Sequence, residues 1–465
     1  MSLKCIQDVV DNDYCVGCGA CAYLNRSSME LNRYGEYQPT ILKGAVEADL
    51  EASCPFLKPE WNEDVLADEL FSPQHPKHEG IGTYIQCYGA RVLSPEIRQA
   101  GTSGGVGTWI ALALLRHGLI DGVIHAKAVE REGATAPFFK YAISRSEDAI
   151  REGAKTRYHV MQITGVMEEV RSTPGRYLFI GVPCFSKAVR RLQKLDPVIR
   201  ERVRYVVSLV CGHYKSVNWT LSLGWSVGID PVDLSAFQYR TKGLGIDARA
   251  YVFKAFAKDG RVSQQDSAAV AGGKFNAGAM MLNACDYCDD VVGETADLTI
   301  GDAWLPKFAH DPGGTNLLIA RSDELHRVLL QGETEQEVEL YPISANEAAR
   351  SQSGGFRQRR EGLSYRLAKA TEAGHDVPIK RVKPGAIKLS RLRAKIYDLR
   401  QECSKLSREL FIEALESNSY ENYQTKMSPH FSKLRKLEVV SSFWRAVGKR
   451  LGTKLQGVFT TMRGR

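Results

Sequence analysis

The stretch "RYLFIGVPCFSKAVRRLQKL", residues 176–195, joins a short apolar run to a longer helical segment. The same pairing recurs. "DGVIHAKAV" (121–129), "VRYVVSLVCG" (203–212) and "ADLTIGDAW" (296–304) are further short β-type runs, and "GVGTWIALALLRHG" (105–118) is another helical one. Such alternation, from about residue 86 to about 350, argues for an α/β fold with a mainly parallel or mixed sheet. There is no internal repeat and no low-complexity segment.

Working outward, residues 1–60 form a cysteine-bearing module and 61–85 a linker with a short helix and a Pro/Gly/His connector. The α/β domain spans 86–375, and 380–465 is a basic helical tail. The 465 residues are 43% apolar and 25% charged, which is ordinary globular composition. No run of about 18 apolar residues is present, so no transmembrane helix is expected. The acidic start, "MSLKCIQDVVDNDYC", does not read as a secretory signal. Eleven cysteines without an export signal read as thiolate ligands in a cytoplasmic protein.

The net charge of +8 divides unevenly: residues 380–465 hold 20 Lys+Arg against 7 Asp+Glu, or +13, and the rest of the chain is −5. Leu389, Leu392, Ile396, Leu399, Cys403, Leu406 and Leu410 step as a heptad seam. A break is expected over "SNSYENYQTKMSPH" (417–430). A second stripe follows: Leu437, Val440, Trp444, Val447, Leu451, Leu455, Val458 and Met462, flanked by Lys436, Arg445, Lys449, Arg450 and Lys454. That pattern suits a helix lying on an anionic membrane, peripheral on the inner face. The alternative is that the stripe packs on the body with its basic face solvated. Nucleic acid is not an expected partner, and a homo-oligomer remains open.

"CVGCGAC", residues 15–21, sets three thiols at C-x₂-C-x₂-C spacing, and Cys54–Pro55 follows 33 positions after Cys21. Cys15, Cys18, Cys21 and Cys54 suit one [4Fe–4S] cluster, with Gly17 and Gly19 letting backbone approach it. Structural zinc is the alternative. A second set comprises Cys184 and Cys211 at strand ends, with Cys285 and Cys288 in "CDYC". These either share a site or are core cysteines beside an incidental turn. Cys87 and Cys403 read as structural and Cys5 as a spare. "TSGG" (102–105), opening a helix, is either a phosphate cradle or an ordinary helix start.

Several segments together resemble the coenzyme F420 hydrogenase/dehydrogenase β-subunit family, from about residue 10 to about 365. They are "RQAGTSGGVGTWIALALLRHGLIDGVI", "KTRY", "FIGVPCFSKAVRRL", "VSLVCGHYKS", "FQYRTKG", "CDYCDDVVGETADLTIGDAW" and "GGTNLLIAR". "CVGCGAC…GEYQP…CPF" and "SQSGGFRQRREGLSYRL" look most like the bacterial members encoded with cell-surface polysaccharide genes. The resemblance implies an iron–sulfur flavoprotein carrying FAD and two [4Fe–4S] clusters, the second on Cys184, Cys211, Cys285 and Cys288. It also implies flavin contacts from Thr102, Ser103, Gly104 and Gly105, from Thr156, Arg157 and Tyr158, and from Arg240 and Lys242.

The implied activity is that of an oxidoreductase passing electrons between a ferredoxin-like carrier and FAD. Its substrate would be an organic, small-molecule or sugar- or lipid-linked intermediate of polysaccharide biosynthesis. Alternatives are an F420-dependent or electron-transferring subunit of a larger complex, and a non-enzymatic scaffold of a glycan assembly machine. His213, Tyr214 and Asp302 are the candidate catalytic proton donors. The alternatives are a backbone-bonded histidine and a helix-capping aspartate.

Overall fold

The run Tyr177–Gly181 is a strand and Pro183–Leu195 the helix that follows it. Pro183 opens that helix, where its missing N–H would have had no partner and its fixed φ suits the turn. The computed structural model describes residues 3–40, 47–131, 133, 136–242 and 251–462, with side chains for all of these except Glu47, Tyr251 and 448–462.

Eleven strands concern the site: β1 (Gln86–Val92), β2 (Gly122–Ala128), β3 (Phe139–Ser144), β4 (Tyr177–Gly181), β5 (Val203–Leu209), β6 (Leu234–Lys242), β7 (Tyr251–Ala257), β8 (Val262–Asp266), β9 (Leu298–Asp302), β10 (Asn316–Ala320) and β11 (Val338–Ile343). Eight form one sheet in the order β11-β1-β10-β9-β5-β4-β2-β3. Its centre, β2-β4-β5-β9, is parallel. Both flanks are antiparallel. The fold is therefore mixed α/β. A separate antiparallel sheet, β6-β7-β8, is an element the strand–helix alternation does not reveal.

Helices cover both faces, as a largely parallel sheet requires. On one side lie α1 (Val106–Arg116) and Asp323–Thr334, whose Ile110, Leu114, Leu325 and Leu329 meet Leu178, Val207 and Leu318. On the other lie α2 (Thr164–Ser172), α3 (Pro183–Leu195) and α4 (Val217–Trp225), which bury Met167, Phe185, Leu192 and Leu221. Val16, Tyr23, Leu50 and Phe56 of the first sixty residues join that second cluster, so they share its core.

The tail is a hairpin of α5 (Arg391–Glu416) and α6 (Tyr420–Met462). The break expected over residues 417–430 shrinks to a turn before Tyr420, and the helix runs through Pro429. Tyr423, Met427 and Leu434 are buried on either side of that proline. Their packing outweighs the single hydrogen bond it removes. Ile396, Leu399 and Cys403 of the seam meet Leu434, while Phe411 and Ala414 pack on the body.

The second stripe divides. Leu437 packs on the seam, but Val440, Phe443 and Trp444 are exposed. Leu451, Leu455, Val458, Met462, Lys449, Arg450 and Lys454 lie outside the described side chains. Part of the tail's charge is spent inward: Arg381 pairs with Glu294 at 2.8 Å, and Arg408 pairs with Asp13 and with Glu36 at 2.8 Å. Among the described residues, no helix is long and apolar enough to cross a membrane.

Candidate functional site

The carboxyl ends of the parallel strands β2, β4, β5 and β9 open onto a cavity of about 820 Å³. Ligands of open α/β sheets bind in this position. Thr102, Ser103, Gly105, Thr156, Arg157, Tyr158, Cys211, His213, Tyr214, Arg240 and Asp302 line it, and so does Gly107. The topology thus brings together nearly all of the candidate flavin and catalytic residues.

Two candidates are placed otherwise. Gly104 does not line the cavity. A Cβ there would meet the Ala90 carbonyl oxygen at 2.6 Å and the Asn316 nitrogen at 2.9 Å, so the glycine is needed to seat the loop on β1 and β10. Lys242 is not in the wall either. Its ammonium donates to the carbonyls of Arg98, Ser103 (3.2 Å) and Gly313 (3.0 Å), tying the loop from behind. Gly107, in the first turn of α1, is the glycine that faces the open space: a Cβ there would meet nothing within 4 Å.

At the loop end, the Thr102 and Thr156 hydroxyls hydrogen-bond at 2.8 Å. Arg157 donates to the Ala154 carbonyl at 3.0 Å, but its Nε and Nη1 are buried without a partner among the described residues. Burial pulls its pKa down to about 10. The guanidinium lies over the Phe139 ring at 4.9 Å and lines the cavity, where its remaining donors suit an anion such as a flavin phosphate.

Deeper in the cavity, Arg240 donates to Asp302 at 2.9 Å and lies against Tyr158. The His213 ring stacks on Phe275 at 3.9 Å and 7°. It makes a backbone hydrogen bond with Phe275, and its Nε2 has no partner among the described residues. Burial and then Lys215 hold its pKa well down, so the imidazole is neutral. Burial raises the Tyr214 phenol, which keeps its proton, and its hydroxyl lies against the Met161 backbone.

Behind this wall, Cys184, Cys211, Cys285 and Cys288 face one another; burial and their mutual charge raise the Cys184 thiol. The Tyr214 N–H donates to Cys285 Sγ at 3.1 Å. Cys211 alone of the four also lines the cavity.

Arg359, in a π-helical turn (Arg357–Glu361), is buried among the four sulfurs, whose charge raises its pKa against the cost of burial. It donates to the Gly212 carbonyl at 2.9 Å, and its Nε and Nη1 have no partner among the described residues. Sequence reasoning missed it. The arginine-rich "GGFRQRR" carries no spacing that marks one of its members as buried.

The N-terminal four also sense one another: Cys15, Cys18 and Cys54 all bear on Cys21. Gly17 (φ +71°) and Gly19 (φ +85°) adopt left-handed backbone that favours glycine. Added Cβ atoms would meet the Tyr37 oxygen at 2.8 Å and the Thr164 hydroxyl at 2.5 Å, so these glycines also let the loop pack on protein. Arg191 of α3, also missed from sequence, is fully buried. It donates to the carbonyls of Ala52, Cys54, Leu57, Lys58 and Trp61 and so shapes the loop that carries Cys54.

The two sets are neighbours, because Cys18 is close enough to bear on the charge of Cys184. Among the described residues no three His, Cys, Asp or Glu side chains converge as a single-ion site.

Residues 87–168 match the N-terminal part, and residues 175–346 the C-terminal part, of the coenzyme F420 hydrogenase/dehydrogenase β subunit. A chain carrying both parts falls in a family of electron-transfer β subunits of hydrogenases and dehydrogenases, which supports an oxidoreductase role, and it spans about half the length of the first curated relative it matches. It is a member of the coenzyme F420 hydrogenase/dehydrogenase β-subunit family.

The chain is 31% identical over 136 residues to the coenzyme F420 hydrogenase β subunit of Methanosarcina barkeri, a match covering 28% of this chain and 45% of that subunit. It is 22% identical over 329 residues to an uncharacterised protein of Methanocaldococcus jannaschii, covering 65% and 83% of the two chains. A chain of the F420-reducing [NiFe] hydrogenase complex from Methanosarcina barkeri superposes with a TM-score of 0.49 at 19% identity, over 65% of this chain and 98% of that one.

Proposed function

We propose that this chain is an iron–sulfur flavoprotein that passes electrons between a ferredoxin-like carrier and an organic substrate. The observation that carries the reading is Cys211, which belongs both to the core cysteine quartet and to the wall of the cavity. When bound, [4Fe–4S] clusters exchange single electrons and FAD takes or gives them in pairs, which is the chemistry such a chain needs.

The protein's own residues support that loading. Thr102, Ser103, Gly105 and Gly107, with Thr156 and Arg157, form the cradle for the flavin phosphates. Cys15, Cys18, Cys21 and Cys54 would hold one cluster, and Cys184, Cys211, Cys285 and Cys288 the other. Neutral His213 has a free Nε2 at which a proton can be held beside the substrate, and Tyr214 retains its hydroxyl proton. Arg240 fixes the Asp302 carboxylate in the wall.

By resemblance of "CVGCGAC…GEYQP…CPF" and "SQSGGFRQRREGLSYRL", the substrate is an intermediate of cell-surface polysaccharide biosynthesis. Val440, Phe443 and Trp444, exposed on α6, support a peripheral membrane contact. Anaerobic purification with iron, sulfide and flavin analysis tests the redox reading. It predicts about eight iron and one FAD per chain; about four iron would leave one quartet structural, and bound zinc would refute that quartet's assignment.

The 31% match to an F420 hydrogenase β subunit favours a second reading, in which the acceptor is a deazaflavin bound beside the flavin. Anaerobic bleaching of the flavin by reduced F420 rather than by reduced ferredoxin would select it.

A further inference from the structure

The cavity is walled at its mouth by a part of the chain that lies outside both family segments, which end at residue 346. Arg357 comes from the π-helical turn, Arg393 and Arg400 from α5, and Arg445 from α6. Counting the whole lining, seven Lys and Arg side chains face two carboxylates, Asp302 and Glu438. A wall so unbalanced attracts anions.

The four mouth arginines are not equivalent. Arg400 is paired with Glu438 (3.0 Å) and also donates to Gln358 (3.0 Å). Arg393 donates to Glu361 at 3.1 Å and to the Tyr397 hydroxyl at 2.6 Å. These two hold the hairpin in place. Among the described residues Arg445 has no acidic partner, and it donates to the Ser441 carbonyl at 3.3 Å and the Ser442 hydroxyl at 2.8 Å, within its own helix.

Arg357 is half-buried, and burial followed by the charges of Arg445 and Arg393 lowers its pKa. Glu361, the acid it senses, already accepts from Arg393 and from Tyr397 (2.8 Å). Two guanidinium groups therefore line one cavity with no carboxylate hydrogen-bonded to either among the described residues, an arrangement that suits bidentate binding of a phosphoryl group.

We propose that Arg357 and Arg445 bind a phosphate or pyrophosphate group of the substrate, so that the tail hairpin supplies the specificity of the site for phosphorylated substrates. The inference rests on the redox reading for the word substrate and names its class; the anion site itself is read from the arginines alone.

Titration calorimetry of inorganic pyrophosphate into the flavin- and iron-loaded protein tests it. Saturable binding that weakens at least tenfold in both Arg357→Gln and Arg445→Gln, with flavin content unchanged, is the expected result. Arg357→Lys should recover part of the affinity as a point charge. Glucose 1-phosphate and farnesyl phosphate, titrated in parallel, separate a sugar-borne from a lipid-borne group. No binding by the parent protein, or unchanged binding by both variants, overturns the proposal. Loss of flavin from the variants also overturns it, because the arginines would then be holding the FAD pyrophosphate. A protein that binds pyrophosphate through these residues but carries neither flavin nor iron would sink the redox reading and leave this one standing.

Discussion

The N-terminal quartet and the core quartet differ in how the chain builds them. Cys15 and Cys18 come from one loop turned by Gly17 and Gly19 and Cys21 from the helix that this loop opens (Ala20–Asn25), and only Cys54 arrives from elsewhere. Cys184 is instead delivered by the first turn of α3, just past β4, Cys211 by the segment just past the neighbouring parallel strand β5, and Cys285 with Cys288 by a 3₁₀ turn far along the chain. Each quartet has its own buried arginine, used differently. Arg191 spends its donors on five backbone carbonyls and so shapes a loop. Arg359 makes one good bond and directs the rest of its charge at sulfur. One guanidinium is structural, the other electrostatic.

The largest effect should come from Cys184→Ser. Total iron should fall by about half, and flavin reduction by a reduced ferredoxin should drop to background. Cys18→Ser should lose similar iron yet leave the flavin reducible by dithionite, a small reductant that can bypass the first quartet. Full iron in the Cys184→Ser protein would dissolve the distinction.

Gly107→Val should give a folded, iron-loaded protein without flavin absorbance, because its side chain enters the open cradle. Gly104→Val should instead fail to accumulate as folded protein, since its Cβ would collide with Ala90 and Asn316. Flavin retained at full occupancy in the Gly107 variant would move the cradle elsewhere.

Stability separates the two arginines. Arg191→Ala strands several carbonyls and should cost roughly 3–5 kcal/mol, read as a shift in urea midpoint, with iron lost from the N-terminal quartet first. Arg359→Gln should cost less stability but lower the midpoint potential of the core quartet by on the order of 60 mV, a tenfold change for one electron. Redox titration followed by electron paramagnetic resonance reads this directly. Equal potentials in parent and variant would make Arg359 merely structural.

The smallest effect concerns His159, behind the cavity wall. Its Nε2 accepts the Phe138 N–H at 3.2 Å, and burial followed by Arg131 depresses its pKa to about 3. The unfolded chain takes up a proton near its ordinary value of 6.5, so the stabilisation is complete above that pH and is lost progressively as pH falls toward 3. The slope should be about 1.4 kcal/mol per pH unit in that window. His159→Gln should flatten the dependence by that amount relative to the parent, and identical slopes would rule the histidine out as its source.

What the sequence discloses follows the same division. The first quartet is legible because its spacing is local, and the parallel centre of the sheet because each strand is followed by a helix of recognisable period. The core quartet stays ambiguous from spacing alone, since the proximity of Cys184 and Cys285 depends on topology. Arg191 and Arg359 escape notice because no rule of periodicity marks a buried charge: α3 buries Lys187, Arg190 and Arg191 together, where a solvated face would ordinarily be read. Gly104 and Lys242 carry the right residue types but face backbone, which only the packing of β1 and β10 decides. The hairpin shows the reverse case. Its seam is readable, yet its turn is misplaced because Tyr423 and Met427 override a polar, proline-containing segment.

Helix α3 also has a practical meaning for anyone exchanging parts between proteins of this kind. It starts beside Cys184 and, two turns on, offers Arg191 as a socket for the segment around Cys54. A transplanted electron-entry module would have to present a comparable ring of carbonyls to that socket. A graft chosen on cysteine spacing alone would leave a buried cation facing nothing, so the joint to be matched in a chimera is this helix face and not the chain boundary near residue 60.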